Sequence, residues 1–294
     1  MVIDGSILAA IEARLRDALA PPAVRYRPFL VGGVALGLVD DDRAMRLVPF
    51  DCFRVALDAV ILDARFATCE ARSAALAEVA LALRAAGALP AWRDELYAVM
   101  PEFGLPPLLL IERGAACYFG VRTWAAHVNG VVRRDGEAMM WFARRSPHKA
   151  VDPGLLDNLV GGGIAAGLRI DQAVVKEAWE EAGIGEALAR TAQPAGVVHS
   201  KKPTFDGLQR ETLFVHDLVL PPDFVPANQD GEAIEHRCVR LDAAARTIAH
   251  TRGPDEVTLD ASLVVLDYLI RHGEVRPDQP GFGALEALRH RSLA

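Results

Sequence analysis

The stretch GGGIAAGLRIDQAVVKEAWEEAGI, residues 161–184, decides how this chain is read. From about residue 171 to 182 its alanines, lysine and glutamates favour helix. Gly183 stands where a C-terminal glycine cap belongs. Glu180 and Glu181 follow Glu177 by three and four positions. At about 100° per residue, all three carboxylates share one stripe. Val174, Ala178 and Ala182 form the adjacent apolar stripe, continued by Val175 and Trp179. Three like charges on neighbouring turns repel one another. They also crowd the helix C-terminus, where the dipole disfavours anions. Hard divalent cations such as Mg²⁺ reverse that cost, because they take oxygen ligands and often share them with substrate phosphates. Two local rules broken at one place mark a candidate functional site. Ahead of the helix, Gly161, Gly162, Gly163 and Gly167 imply tight turns or positive φ, which would return a loop against it. No Gly-Lys-Ser/Thr follows, so this is not a nucleotide P-loop.

The rest of the 294 residues frame that segment. With 51% hydrophobic and 24% charged residues, the composition is that of a folded chain rather than a disordered one. A net charge of −7 gives no general affinity for nucleic acid polymers. A phosphorylated small molecule can still bind where local cations or metal ions outweigh that field. Cys52, Cys69, Cys117 and Cys238 lie far apart with no metal-finger spacing, and read as free thiols of a reducing, cytoplasmic compartment. The opening MVIDGSILAAIEARLRDALA lacks a basic start followed by an apolar run, so no secretory signal is expected. Runs such as PPLLLI are too short to span a bilayer, and no membrane partner is expected.

Residues 3–20 read as a surface helix, with Ile7, Ile11, Leu15 and Leu19 every four positions. FLVGGVALGLVDDDRAMRLVPF (29–50) reads as two strands joined by an acidic turn at Asp40, Asp41 and Asp42. A short strand is expected over 56–61 and a helix over 71–86, ended by Gly87 and Pro90. These elements suggest a small α+β domain over 1–115. A second domain over 116–294 would open on a hairpin turning near Arg134 and Gly136. It would carry the acidic helix and strands over 196–199, 211–218 and around Val239. Helices over 262–272 and near Leu285 would close it.

The 161–184 segment resembles the signature box of the Nudix hydrolases, G-x5-E-x7-R-E-U-x-E-E-x-G-U, where U is a bulky aliphatic residue. Gly162, Glu177, Glu180, Glu181, Gly183 and Ile184 fall in register with it. Three positions depart: Leu168 stands for the first glutamate, Lys176 for the arginine and Ala178 for the bulky aliphatic. The resemblance implies an α/β fold, an α/β/α sandwich with a mixed sheet. Its box glutamates would bind Mg²⁺ or Mn²⁺ beside a substrate diphosphate. HVNGVVRR (127–134), WFARRSPHKAVDPGLLDNLVGGGIAAG (141–167), RETLFVHDLVLPPDFVPANQDGEAIEH (210–236) and LDYLIRHG (266–273) are similar to the branch named thiamine pyrophosphokinase-related. ARSAALAEVALALRAAG (71–87) and AWRDELYAV (91–99) resemble that branch's additional N-terminal domain.

The resemblance implies a hydrolase acting on thiamine diphosphate or its oxidised analogues, giving the monophosphate and phosphate. Nucleoside diphosphates such as 8-oxo-dGDP, or binding without turnover, are the alternatives. An isomerase is a remoter one: PGLLDN (153–158) also resembles the branch that isomerises isopentenyl diphosphate, but the cysteine that reaction needs has no clear match in this chain. Glu177, Glu180 and Glu181 would be the catalytic and metal ligands, joined by Glu235 from the segment entering a late strand, with Glu232 as alternate. Arg144 and Arg145 could position phosphate, since a guanidinium fork suits oxyanions. Strand alternation turns only one of them to the cleft. Lys149 is a third phosphate candidate. Trp92, Arg93, Glu95 and Tyr97 form an aromatic and polar group against which a cationic thiazolium or flat pyrimidine could pack. The expected partner is a small-molecule diphosphate, with a homodimer left open.

Overall fold

The computed structural model describes residues 3–20, 23–250 and 253–293. After helix α1 (Gly5–Ala18), strands β1 (Tyr26–Val31) and β2 (Val34–Asp40) pair antiparallel. Their turn falls at Gly32 and Gly33, with φ of 57° and 82°, a conformation that glycine adopts without steric penalty. The acidic turn expected at Asp40–Asp42 is not there. Asp40 instead caps α2 (Asp41–Leu47), its carboxylate accepting from the N–H of Arg43 at 2.9 Å. Aspartate in that place satisfies an orphan donor of the first helical turn.

Strands β3 (Phe53–Val55) and β4 (Val60–Leu62) complete a sheet in the order β2-β1-β4-β3. Helix α3 (Cys69–Ala85) buries Leu76, Val79 and Leu83 in the same core as Phe29 and Val31. A short antiparallel pair, β5 (Leu96–Val99) and β6 (Leu109–Glu112), leads to the second region.

There β7 (Arg122–Arg134) and β8 (Glu137–Arg145) form the expected hairpin, turning at Asp135 and Gly136 with φ of 51° and 82°. Strands β9 (Leu156–Asn158) and β10 (Val160–Gly163) pair with β8 and β7 in turn. β11 (Gln193–Thr204), β12 (Gly207–Val219) and β13 (Ala233–Arg240) complete a mixed seven-stranded sheet, β11-β12-β7-β8-β13 with β9 and β10 alongside. Only β7 and β12 run parallel within it, in register from Arg122–Arg210 to Val131–Val219.

Alternation sorts the two faces. Ala126, Val128 and Leu218 pack with α4 (Ile170–Ala182) and the residues around α5 (Glu186–Ala189). Ala125, Phe142 and Val215 pack with α6 (Leu241–Ala249), α7 (Leu259–Arg271) and α8 (Phe282–Arg289). The result is a three-layer α/β/α sandwich preceded by a small α+β region.

Helix α1 belongs to this second core. Leu8, Ile11 and Leu15 are buried with Ala244, Leu263 and Leu285, not with the sheet of 26–62. A division at residue 115 therefore misplaces 3–20: an amphipathic stripe shows that a partner exists, not where in the chain it lies. Truncating a buried leucine of this kind costs about 2–5 kcal/mol. No helix among the described residues is long and apolar enough to cross a membrane.

Candidate functional site

Three glycines without side chains, on a short strand facing a helix, make the site possible. A Cβ on Gly162 would stand 2.3 Å from Cδ of Glu177. One on Gly163 would meet the Tyr97 hydroxyl at 1.8 Å, and one on Gly161 the His127 ring at 2.8 Å. β10 thus lets an acid from α4 and a phenol from β5 close against bare backbone. At the other end of α4, Gly183 ends the helix with φ 65°, its N–H returning to the carbonyls of Ala178 and Trp179. This left-handed cap fixes where the last turn, with Glu180 and Glu181, sits.

Glu181 is only 7% exposed, and its Oε2 accepts from the Gly161 N–H at 2.8 Å. Burial first, and then the charge of Glu177, push its carboxyl up to about 8. Glu177 is also pushed up by burial, against the opposing pull of Lys176. Lys176 Nζ bridges to Glu177 Oε1 at 2.9 Å and to Glu180 Oε2 at 2.6 Å. Leu168, where the family has an acid, packs against the α4-side core instead. Without an acid at 168, Lys176 turns to its own helix. The three glutamates are consequently not gathered: among the described residues, no three His, Cys, Asp or Glu side chains are already grouped as a metal site.

Beside β10 lies a cleft of about 200 Å³. Arg93, Arg113, Arg145, Lys149 and Tyr97 line it. Arg145 is held by Asp157 at 2.7 Å, Arg113 by Glu95 at 2.7 Å, and Lys149 by Glu232. Burial, then the charge of Arg145, pull the Lys149 ammonium down, while Glu181 and Asp157 pull it up. Tyr97 is raised by burial and stays a neutral phenol.

The same cleft carries a carboxylate group. Glu211 Oε1 accepts from Thr123 at 3.0 Å, and Gln209 Nε2 donates both to Glu211 Oε2 at 2.9 Å and to Asp260 Oδ2 at 3.0 Å. Burial, then Asp260, push Glu211 up. Asp260 Oδ1 is buried with no partner among the described residues. The nearby cation Lys202 is committed to Asp152 at 2.9 Å. Cys117 also lines the cleft, but burial pushes its thiol up to about 12, which removes it as a nucleophile at neutral pH. All four cysteines are free thiols.

None of Glu177, Glu180 and Glu181 lines the cleft itself, although Glu177 and Glu181 abut its strand β10, and three further expected residues stand elsewhere. Glu235 does not line the cleft; it pairs with Arg144 Nε at 2.6 Å and with Arg237, which together hold its carboxyl down at about 2. Arg144 also binds Asp255 and the Gly154 carbonyl, so it is the arginine turned away, and Arg145 faces in. Trp92 donates from Nε1 to Asp94 at 2.6 Å and lies 4.5 Å under the Arg84 guanidinium, outside the cleft lining. The alternate Glu232 does line it, as do Arg93, Tyr97 and Lys149. Residues not singled out from sequence as site candidates, Arg113, Asp157, Glu211 and Asp260, are prominent there. They come from four separate segments and match no local spacing.

The family model described as "NUDIX domain" matches residues 123–260, and that described as "Domain of unknown function (DUF4743)" matches 15–123. "Nudix hydrolase 24, chloroplastic" of Arabidopsis thaliana is 43% identical over 213 residues, 72% of this chain and 58% of that protein. "Nudix hydrolase 20, chloroplastic" of the same plant is 40% identical over 226 residues, 76% of this chain and 60% of that one. The chain thus spans 58–60% of the length of these two relatives. The NUDIX domain of Shewanella oneidensis NrtR, solved with ADP ribose, aligns at 12% identity with a TM-score of 0.41, over 52% of this chain and 90% of that one. Over residues 123–260 this chain carries a NUDIX domain, preceded over 15–123 by a DUF4743 domain.

Proposed function

We propose that the protein hydrolyses the diphosphate linkage of a small organic diphosphate, with Mg²⁺ or Mn²⁺. The observation that carries this is the pair Glu177 and Glu181, both pushed up by burial, beside a cleft lined by Arg93, Arg113, Arg145 and Lys149. The names of the two plant relatives support it. The donor set fits a hard cation: Glu177 and Glu181 are carboxylates in mutual repulsion, in a slot that a Cβ at Gly162 would fill. They would hold the ion, with Glu180 joining on release from Lys176. The chemistry such an ion supplies is neutralisation of the charge that grows on phosphoryl oxygens.

The chain's own groups do the rest. Arg113, Arg145 and Lys149 bind the diphosphate oxygens, and their acid partners keep them oriented. Water attacks the terminal phosphorus, the bridging P–O bond breaks, and the water's proton passes to a Glu181 oxygen. Glu211 and Asp260 receive the organic group, and two carboxylates lining the same cleft favour a cationic or N–H-rich ring. Thiamine diphosphate or its oxidised analogues fit that demand. The N–H edge of an oxidised guanine nucleotide such as 8-oxo-dGDP is the second reading, for the same carboxylates could accept from it.

Phosphate release from thiamine diphosphate, its oxidised analogues and 8-oxo-dGDP, with and without Mg²⁺, tests the proposal. Metal-dependent release that Glu181→Gln lowers at least a hundredfold is expected. Absence of metal-dependent release from every member of the panel would leave a binding module.

A further inference from the structure

His127 lines the phosphate cleft, yet its Nδ1 turns away from the cleft and toward a run of buried polar side chains. His127 Nδ1 lies 2.8 Å from Asn158 Oδ1, and Asn158 Nδ2 lies 3.4 Å from Asn129 Oδ1. Asn129 Nδ2 in turn lies 3.0 Å from Asp217 Oδ1. His127 and Asn129 are two apart on β7, on the face that carries Ala125 and Val131 into the apolar core. Asn158 ends β9, and Asp217 is the partner of Asn129 across β12. His127, Asn129 and Asn158 are each no more than 6% exposed. Polar groups so buried are costly unless each donor meets an acceptor.

The far end of this chain sets its direction. Asp217 is held by Arg271 Nη1 at 2.7 Å and Nη2 at 3.0 Å. Burial raises its carboxyl, but the hydrogen bonds from Arg271, Asn129 and His272 outweigh that and leave it below the ordinary value. An ionised carboxylate only accepts. Asn129 must therefore turn its amide NH₂ to Asp217 and its oxygen to Asn158. Asn158 must then donate to that oxygen and turn its own oxygen to His127. Facing an oxygen, Nδ1 has to carry the proton, and in the neutral ring Nε2 keeps a lone pair. Nε2 is the nitrogen left for the cleft; among the described residues it has no hydrogen-bond partner, and it is not fully buried.

We propose that His127 is a specificity-determining residue of the diphosphate cleft, its Nε2 accepting a hydrogen bond from an amino or ring N–H group of the organic moiety. Asp217, Asn129 and Asn158 are positioning residues that hold the accepting tautomer. This rests on the diphosphate reading of the cleft for where the organic moiety lies. Glu211, assigned to that moiety, is near enough to feel charge on His127, so the imidazole stands at the same end. A ring edge that offers N–H is matched there. One that offers only lone pairs meets a lone pair, and a site built for a donor rejects it strongly.

Long-range ¹⁵N–¹H correlation spectra of the full chain, labelled at histidine and free of metal, read the tautomer directly. At pH 8, His127, assigned by the signal lost in His127→Gln, should show a protonated Nδ1 and an unprotonated Nε2. Asn158→Leu removes the opposing oxygen and should bring in an Nε2–H population. Asn129→Leu, which frees Asn158 to turn over, should do the same and stands in should the first variant fail to fold by circular dichroism. Adding thiamine diphosphate should move the Nε2 signal upfield, as for an accepting nitrogen. Methyl diphosphate, whose organic group has no N–H, should leave it in place. By titration calorimetry, Asn158→Leu should weaken thiamine diphosphate at least fivefold, the worth of one hydrogen bond, and methyl diphosphate less than twofold. A proton on Nε2 in the unaltered chain, a tautomer indifferent to both leucine variants, or an Nε2 signal unmoved by thiamine diphosphate would each overturn the proposal. None of these readouts needs turnover. A chain that binds in this way and hydrolyses nothing would sink the hydrolase reading alone, and turnover with an unmoved Nε2 would sink only this one.

Discussion

The carboxylate of Glu181 rests on the backbone N–H of Gly161, 2.8 Å away, on the strand that borders the cleft. A single hydrogen bond offsets only part of the burial, so the acid keeps its proton far above the ordinary range. Unfolded, the group titrates near 4.5; folded, near about 8. Between those values the folded protein binds the extra proton. The metal-free protein should therefore be most stable below the lower value and lose stability as pH rises toward 8, by a few kcal/mol at most. Urea midpoints in chelator from pH 5.5 to 8.5 check this, and Glu181→Gln should flatten the slope. A flat profile for the unaltered protein would remove the burial argument.

Glu235 and Glu181 make opposite predictions. Glu235→Gln should leave turnover within about twofold, because its carboxylate serves Arg144 and Arg237. Its depressed pKa means that this contribution is present above the unfolded value and is lost as pH falls toward about 2. The pairs are half-exposed, so the change should stay within about 1 kcal/mol. Steady-state kinetics of both glutamine variants decide; equal losses would return Glu235 to the site.

Arg145→Met should raise KM at least tenfold for any diphosphate, and Arg144→Met should chiefly lower stability. Arg145 lines the cleft beside Asp157, whereas Arg144 joins β8 to the Pro254 and Asp255 segment. KM and thermal midpoint measured on the two variants separate them. The reverse pattern would mean that the faces of β8 were misassigned.

Gly163→Ala should cost stability and activity together, because the new methyl would meet the Tyr97 hydroxyl. Removing that hydroxyl with Tyr97→Phe should recover part of the loss. A double-mutant cycle should show a coupling of about 1 kcal/mol, as for residues in contact. Strict additivity would show that the two do not touch.

Glu211→Gln should raise KM for thiamine diphosphate by about tenfold or more, the worth of a charge-assisted contact, while leaving methyl diphosphate nearly unchanged. Equal effects on both would place Glu211 in the phosphate machinery rather than at the ring.

Much of the fold was legible because it is written locally. Gly183 stops α4 and Asp135-Gly136 turn the β7–β8 hairpin, as their chemistry demands. The box glutamates were legible as a stripe, and alternation on β8 foretold that one arginine would face away. What escaped depends on long-range closure. Arg113, Glu211 and Asp260 converge from 98 and 147 residues apart, so no spacing rule joins them. Glu235 was placed by analogy with a family position, yet Arg144 opposite it on β8 captures its charge. Lys176 shows the same limit: once Leu168 removed an acid, only the folded helix could reveal its new partners.

Helix α1 buries Leu8, Ile11 and Leu15 among α6, α7 and α8, segments synthesised long after it. During translation α1 therefore waits, its apolar side uncovered, until those helices have left the ribosome. That ordering delays completion of the larger core and exposes a sticky surface in the meantime. A nascent chain of this protein is one for which chaperone capture of α1 would be useful.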